Sequence, residues 1–299
     1  MNASFDLALD AARAAAGMQH YPESALYVVA TPIGNLADIS LRALQVLQLV
    51  DAIACEDKRH SQPLLRQYGI DKPLLAVHEH NEAQAANLVI ERLQRGERVA
   101  YVSDAGTPAV SDPGARLVAA VRAAGLTVMP LPGASSVTTV LSAAGLASPG
   151  GETGFVFAGF LPSKAGERDQ AIAALQADAR AIVILEAPHR IEALARAMAV
   201  LQGRLVTVGR ELTKQFEEIA TVPAQDFAAW LAAGPQRTRG EFALVLHPSS
   251  TPESAEDGTR VLQLLLAELP LKTAVKLAAD ITGLGRNELY ETALKLKNA

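Results

Sequence analysis

The feature that most constrains this chain is a unit that recurs along its first half: a short apolar strand, a polar loop, an amphipathic helix and a closing glycine. Residues 26–30, Leu-Tyr-Val-Val-Ala, read as a strand by their β-branched run. A helix is predicted from Leu41, with Asp38 or Ser40 as its cap. The unit then repeats as strand 52–55 with a helix around 62–68 and Gly69, and strand 74–77 with helix 83–95 and Gly96. Strand 99–103 follows with helix 115–124 and Gly125, and strand 127–131 with a helix from Ser135 to about Gly145. Glycine ends helices because the left-handed conformation costs it nothing. Strands alternating with helices predict a parallel sheet with right-handed crossovers.

A loop composition at 148–154 precedes a second α/β unit, with strands near 155–158, 182–185, 205–208 and 242–246. His247-Pro-Ser-Ser-Thr-Pro-Glu253 reads as a linker. The tail from Ala255 is helical, broken at Leu269-Pro270, with two short helices around the Gly283-Leu-Gly285 turn. Lys272, Lys276, Arg286, Lys295 and Lys297 make it locally basic. The expected division is a flexible extension over 1–23, α/β domains over 24–133 and 134–248, and a small helical domain over 254–299. A chain of 299 residues is long enough for this plan.

Several classes of function are disfavoured. A net charge of -5 argues against a coat-like nucleic-acid binder but leaves room for a local basic patch. The single cysteine, Cys55, excludes a disulfide framework within the chain and fits a reducing cytosol. No apolar run approaches the ~20 residues of a membrane span. Residues 1–23 carry Asp6, Asp10 and Arg13 and lack the pattern of a signal peptide, so a cytoplasmic location is expected.

Polar and glycine-bearing residues collect after the strands of the first half, where open parallel sheets bind ligands. These loops are Thr31-Pro-Ile-Gly-Asn35, Glu56-Asp-Lys-Arg-His-Ser61, His78-Glu-His-Asn-Glu82, the segment from Asp104 to Gly114, and Pro132-Gly-Ala-Ser-Ser136. The fourth combines two prolines with two glycines, a rigid path that lets a ligand approach the backbone. Ser111 or Asp112 can cap the helix after it, with Pro113 in its first turn. A complex structural turn is the alternative. Neither G-x-G-x-x-G nor G-x-x-x-x-G-K-[ST] occurs, which weakens dinucleotide and P-loop readings. S-adenosylmethionine is compatible, being compact and free of phosphate.

The second loop packs both charge signs together, as a solvated turn or as a substrate loop with a carboxylate base and Arg59 on a phosphate. His78 and His80 could form half a metal site, but no second cluster has ligand spacing, so no metal is expected. Later in the chain, Glu186-Ala-Pro-His-Arg190, Arg210-Glu-Leu-Thr-Lys214 and Arg239-Gly-Glu-Phe242 flank strands. They place Arg190, Arg210, Lys214 and Arg239 where they could meet phosphates.

Taken with Ala30-Thr-Pro-Ile-Gly-Asn-Leu36, Val102-Ser-Asp-Ala-Gly-Thr-Pro108 and Ser111-Asp-Pro-Gly114, these motifs are similar to those of the tetrapyrrole-methylase-like, or class III, methyltransferases. The resemblance is closest to the branch that methylates ribose 2′-oxygens of small-subunit ribosomal RNA, and it covers roughly 26–296. Gly106-Thr107-Pro108 stands where corrin-making members have Gly-Asp-Pro. The resemblance implies two α/β domains of the tetrapyrrole methylase fold with S-adenosyl-L-methionine in the cleft between them, plus a small C-terminal helical domain. It also implies a homodimer that 2′-O-methylates a cytidine in the decoding region of 16S rRNA within the small ribosomal subunit, with no metal and no membrane. The expected cofactor residues are Pro32, Gly34, Asp104, Ala105, Gly106, Val110, Ser111, Ser135, Ala187 and Phe242. The expected catalytic residues are Glu56, Asp57 and His80 as candidate bases, with Arg59 and Asn81 orienting the ribose or phosphate. Lys58, Arg59, His60, Arg190, Arg210 and Lys214 are expected on the RNA. A same-fold methylase of a tetrapyrrole or a protein, or a non-catalytic ribosome assembly factor, are the alternatives.

Overall fold

The structure is a computed structural model. It describes residues 5–77, 82–111, 114–146, 154–176, 178–248, 252–282 and 284–297. Its contacts divide the chain into two units. One is Met1–Thr139 with Glu211–Glu218, and the other is Val140–Arg210 with Ile219–Ala299.

The first unit contains α1 (Asp6–Ala16), β1 (Ala25–Val29), α2 (Leu41–Leu49), β2 (Ala52–Cys55), α3 (Lys58–Gln67) and β3 (Leu74–Ala76). It continues with α4 (Glu82–Gln94), β4 (Val99–Val102), α5 (Ala115–Ala123), β5 (Thr127–Leu131) and the start of α6 (Ser136–Ala143). The strands form one sheet in the order β3-β2-β4-β1-β5. The pairings within it are parallel, as the alternation predicts. β1, β2 and β4 are buried along their length because helices cover both faces, so they read as unbroken apolar runs.

Side chains alternate between the two faces. Tyr27, Val29, Ile53, Cys55 and Val102 pack with Leu9 and Ala12 of α1, Leu44 and Leu47 of α2, and Leu65 of α3. Leu26, Ala54, Val99 and Tyr101 pack with Val89 and Leu93 of α4 and Leu117 and Val121 of α5. The chain therefore leaves β1 toward one face and β4 toward the other. β1 and β4 are neighbours, so their carboxyl ends frame the crevice that such a divergence opens.

The second unit contains β6 (Phe155–Phe160), α7 (Ala165–Gln176), β7 (Ala181–Glu186), α8 (Ile191–Met198), β8 (Leu205–Arg210), β9 (Glu218–Pro223), α9 (Phe227–Ala232) and β10 (Phe242–Leu246). Its sheet runs β6-β7-β10-β8-β9 and is mixed, because β10 lies antiparallel between β7 and β8. The tail forms α10 (Pro252–Glu268), α11 (Leu271–Thr282) and α12 (Arg286–Lys297), with its own core around Leu262, Ala274, Ala278, Leu289 and Ala293. No helix among the described residues is long and apolar enough to cross a membrane.

Three findings depart from the sequence expectations. Within the extension expected over 1–23, residues 6–16 form the helix α1. Leu9, Ala12 and Ala16 recur on one face of α1 and are buried, and Phe5 meets Tyr68 edge-on at 4.9 Å. The helix after β2 starts at Lys58 rather than near Gln62, because Asp57 caps it by accepting from the Arg59 N–H at 2.8 Å. β9 was not predicted. It borders the second sheet, and its alternation over Ile-Ala-Thr-Val is short and ends in Pro223.

Candidate active site

The loops after β1, β2, β4 and β5 are fastened to one another at the carboxyl edge of the first sheet. Thr31 and Gly106 exchange backbone hydrogen bonds at 2.9 and 3.0 Å, joining the loop after β1 to the loop after β4. The Thr31 hydroxyl donates to the Ser103 carbonyl at 3.3 Å, and Ser103 donates to the Ala105 carbonyl at 3.2 Å. Thr107 donates to the Ala134 carbonyl at 3.0 Å, tying in the loop after β5. The loop after β2 joins through His60, whose Nδ1 lies 2.8 Å from Asp104 Oδ2. Thr31 and Ser103 are nearly fully buried, so these bonds form away from competing water.

Gly106 shows why this crossing excludes other residues. Its φ is +78°, and an added Cβ would stand 3.2 Å from Ile33. Ala109 in the same loop holds a φ of +63° without a glycine's freedom. Such strain persists only where the surroundings impose it, and it gathers at sites that bind ligands.

The predicted cofactor residues of this unit fall on or beside the fastened edge. Pro32 and Gly106 are buried in it, Ser135 is half-buried at the head of α6, and Asp104, Ala105, Val110 and Ser111 are exposed. Gly34 is exposed too, but its missing side chain is explained by Lys214. A Cβ there would lie 2.4 Å from Lys214 Cγ. Lys214 itself pairs with Glu211 at 2.8 Å.

Glu56 is half-buried at the end of β2. Lys58, Arg59 and His60 occupy the first turn of α3, all exposed. Two cations at a helix N-terminus oppose the helix dipole, so they do not stabilise the helix that carries them. Asp57 binds Arg59 at 2.6 Å, and these hydrogen bonds hold its carboxyl down at about 2. That leaves Asp57 as a cap and a weak base. Hydrogen bonding to Asp104 raises the His60 imidazole above its ordinary value. His80 and Asn81, with the possible His78–His80 pair, lie outside the described residues, as do Asp112 and Pro113.

In the second unit, Phe242 of β10 is in register with Glu186 of β7 and Arg210 of β8. Glu186 is buried. It accepts from the Ala187 N–H at 2.9 Å and pairs with Arg190 Nε at 3.0 Å. Arg190 also donates to the Leu161 carbonyl, so its guanidinium serves an internal pair rather than an open surface. Arg210 is buried and reaches the Arg239 carbonyl at 3.4 Å. These contacts engage Arg190 and Arg210, both expected on the RNA, inside the second unit. Sequence reasoning missed Thr31, Ser103 and Thr107, whose hydroxyls fasten the edge. The signal available was Ser103, a polar residue directly after the buried β4.

The chain matches the family of Tetrapyrrole (Corrin/Porphyrin) Methylases over residues 25–228 and the RsmI C-terminal HTH domain over 252–297. The Ribosomal RNA small subunit methyltransferase I of Pseudomonas aeruginosa is 48% identical over 276 residues, covering 90% of this chain and 96% of that protein. Its counterpart from Escherichia coli O157:H7 is 46% identical, covering 90% and 94%. Among solved structures, the cobalt precorrin-4 methyltransferase CbiF has a TM-score of 0.56 at 17% identity, covering 74% of this chain and 94% of its own. Diphthine synthase gives 0.56 at 15%, covering 75% and 90%. A uroporphyrin-III C-methyltransferase from Thermus thermophilus complexed with S-adenosyl homocysteine gives 0.50 at 15%, covering 74% and 96%. These structures share the fold.

Proposed function

The chain belongs to the tetrapyrrole methylase family and, within it, to the ribosomal RNA small subunit methyltransferase I group, and from that premise we propose that it methylates the ribose 2′-oxygen of a cytidine in the decoding region of 16S rRNA. S-Adenosylmethionine supplies a methyl group already activated on a sulfonium. The observation that carries the reading is the junction of two unlike loops at one crevice: the strained, exposed loop after β4 and the cation-bearing first turn of α3. The first suits a compact ligand held by backbone. The second suits a phosphate.

The residues fit this donor. Asp104, Ala105, Val110 and Ser111 present a mixed polar and apolar surface, and Gly106 leaves room where any Cβ would crowd Ile33. We assign these five residues, with Pro32 and Ser135, to the cofactor. Lys58 and Arg59 take the RNA backbone. Much of the rate comes from alignment of the two reactants, which converts a bimolecular encounter into an internal step. The enzyme acts as a cytoplasmic homodimer on the assembled subunit. Methylation of a tetrapyrrole or a protein is not favoured, since the solved structures named for those substrates share 15–20% identity against 46–48% for the ribosomal group.

Mass spectrometry of 16S rRNA from cells with and without this protein tests the reading, together with calorimetric titration of the pure protein with S-adenosylmethionine. A single ribose methyl lost in the deletion, and saturable binding of the donor, are expected. An unchanged methylation map, or no heat at millimolar donor, would refute it.

A further inference from the structure

The carboxyl ends of β2 and β4 are neighbours, with Cys55 and Val102 in register as the last pair. Asp104 is the second residue beyond β4, and His60 lies in the first turn of the helix after β2. Their side chains meet at 2.8 Å across the strand ends, beside the crevice framed by β1 and β4. The contact engages only Nδ1. Nε2 meets no polar partner among the described residues, and the imidazole is 67% exposed, open to a substrate.

We propose that His60, oriented by Asp104, accepts the proton of the ribose 2′-hydroxyl. The proposal rests on the ribose-methylation reading above. A carboxylate accepting from Nδ1–H fixes the tautomer in which Nε2 carries the free lone pair, and it stabilises the imidazolium that forms. In the step, the ribose oxygen bonds to the methyl carbon while its proton passes to Nε2. The electron pair of the broken carbon–sulfur bond stays on sulfur, so no oxidant or reductant is needed.

The other candidates among the described residues, Asp57 and Glu56, are less suited. Asp57 is committed to the helix cap and to Arg59, and Glu56 is half-buried and already engaged. The charges acting on His60 among the described residues are Asp104 from the loop after β4, and Asp57 and Arg59 from its own helix turn. Both carboxylates raise its pKa and Arg59 lowers it, with a net rise above 6.5. The rise makes Nε2 a stronger proton acceptor than a free imidazole.

The test pairs an NMR titration of His60 in the ligand-free protein with single-turnover methylation of small subunits from a deletion strain. The NMR midpoint should lie above 6.5 and fall in Asp104→Asn, with Nδ1 carrying the proton in the neutral form. The methylation rate should drop as pH falls through that midpoint, and the limb should move to lower pH in Asp104→Asn. His60→Gln should slow the step roughly 10²- to 10⁴-fold and leave donor affinity intact by calorimetry. A His60→Gln rate within a fewfold of the parent, an unshifted limb in Asp104→Asn, or loss of donor binding in His60→Gln would each overturn the dyad while leaving ribose methylation standing. Absence of methyl transfer by the parent protein would overturn both.

Discussion

Two arginines that look alike in the sequence have opposite situations. Arg59 is 88% exposed, and its pairing with Asp57 across two residues is a surface ion pair. Such pairs contribute ~0–1 kcal/mol, so Arg59→Ala should leave both the denaturation midpoint and donor affinity in place. Methylation of small subunits should nevertheless fall, since Arg59 is proposed to take the RNA backbone. Arg190 neutralises a carboxylate whose side chain is fully buried. Arg190→Ala strands that charge, and removing one partner of a buried pair costs about 3 kcal/mol or more. Urea denaturation should show it directly, and an unchanged midpoint would return Arg190 to the RNA-binding surface. Glu186 closes β7 and Arg190 caps α8 four residues later, so a short strand-to-helix turn brings the pair together. The sequence carries no sign of the His60–Asp104 contact, whose members are 44 residues apart and meet only after the sheet places β2 beside β4.

Most elements of the first unit were legible because one physical pattern specifies them. Strands buried on both faces must be apolar throughout, and the glycines and polar loops between them punctuate the chain. The elements that escaped lack such a pattern. α1 alternates alanines with charges, so its apolar stripe is narrow, and its burial depends on Tyr68 and α2 being there to receive it. α3 begins with five polar residues, and only the cap at Asp57 marks its start. Because α1 buries Leu9 with two alanines, removing residues 5–16 should cost about 3 kcal/mol on the scale of ~1.5–3 kcal/mol for a buried leucine plus its smaller neighbours. A thermal melt lowered by several degrees, with donor affinity retained at the lower temperature, is expected. An unchanged melt would mean that the helix merely rests on the surface.

The whole molecule carries a net charge of -5 and must still hold a polyanion, so its RNA contacts have to be local. Besides the first turn of α3, α11 offers Lys272 and Lys276, both exposed and one helical turn apart. Replacing both with alanine should weaken binding to small subunits and reduce the slope of log affinity against log salt by roughly two, about one per lost phosphate contact. Donor affinity should not change, since the fastened edge of the first sheet does not include them. A salt slope equal to that of the parent would remove α11 from the interface.

Glu211–Glu218 departs between β8 and β9 yet counts with the first unit, and its Lys214 lies against Gly34. Neither half of this protein is thus a continuous stretch of chain. Severing the backbone after Thr139 yields a leading fragment deprived of a piece synthesised some seventy residues later. On the ribosome, the nascent first unit has to wait for that piece, and its completion is deferred until the leading part of the second unit, up to Arg210, has also emerged.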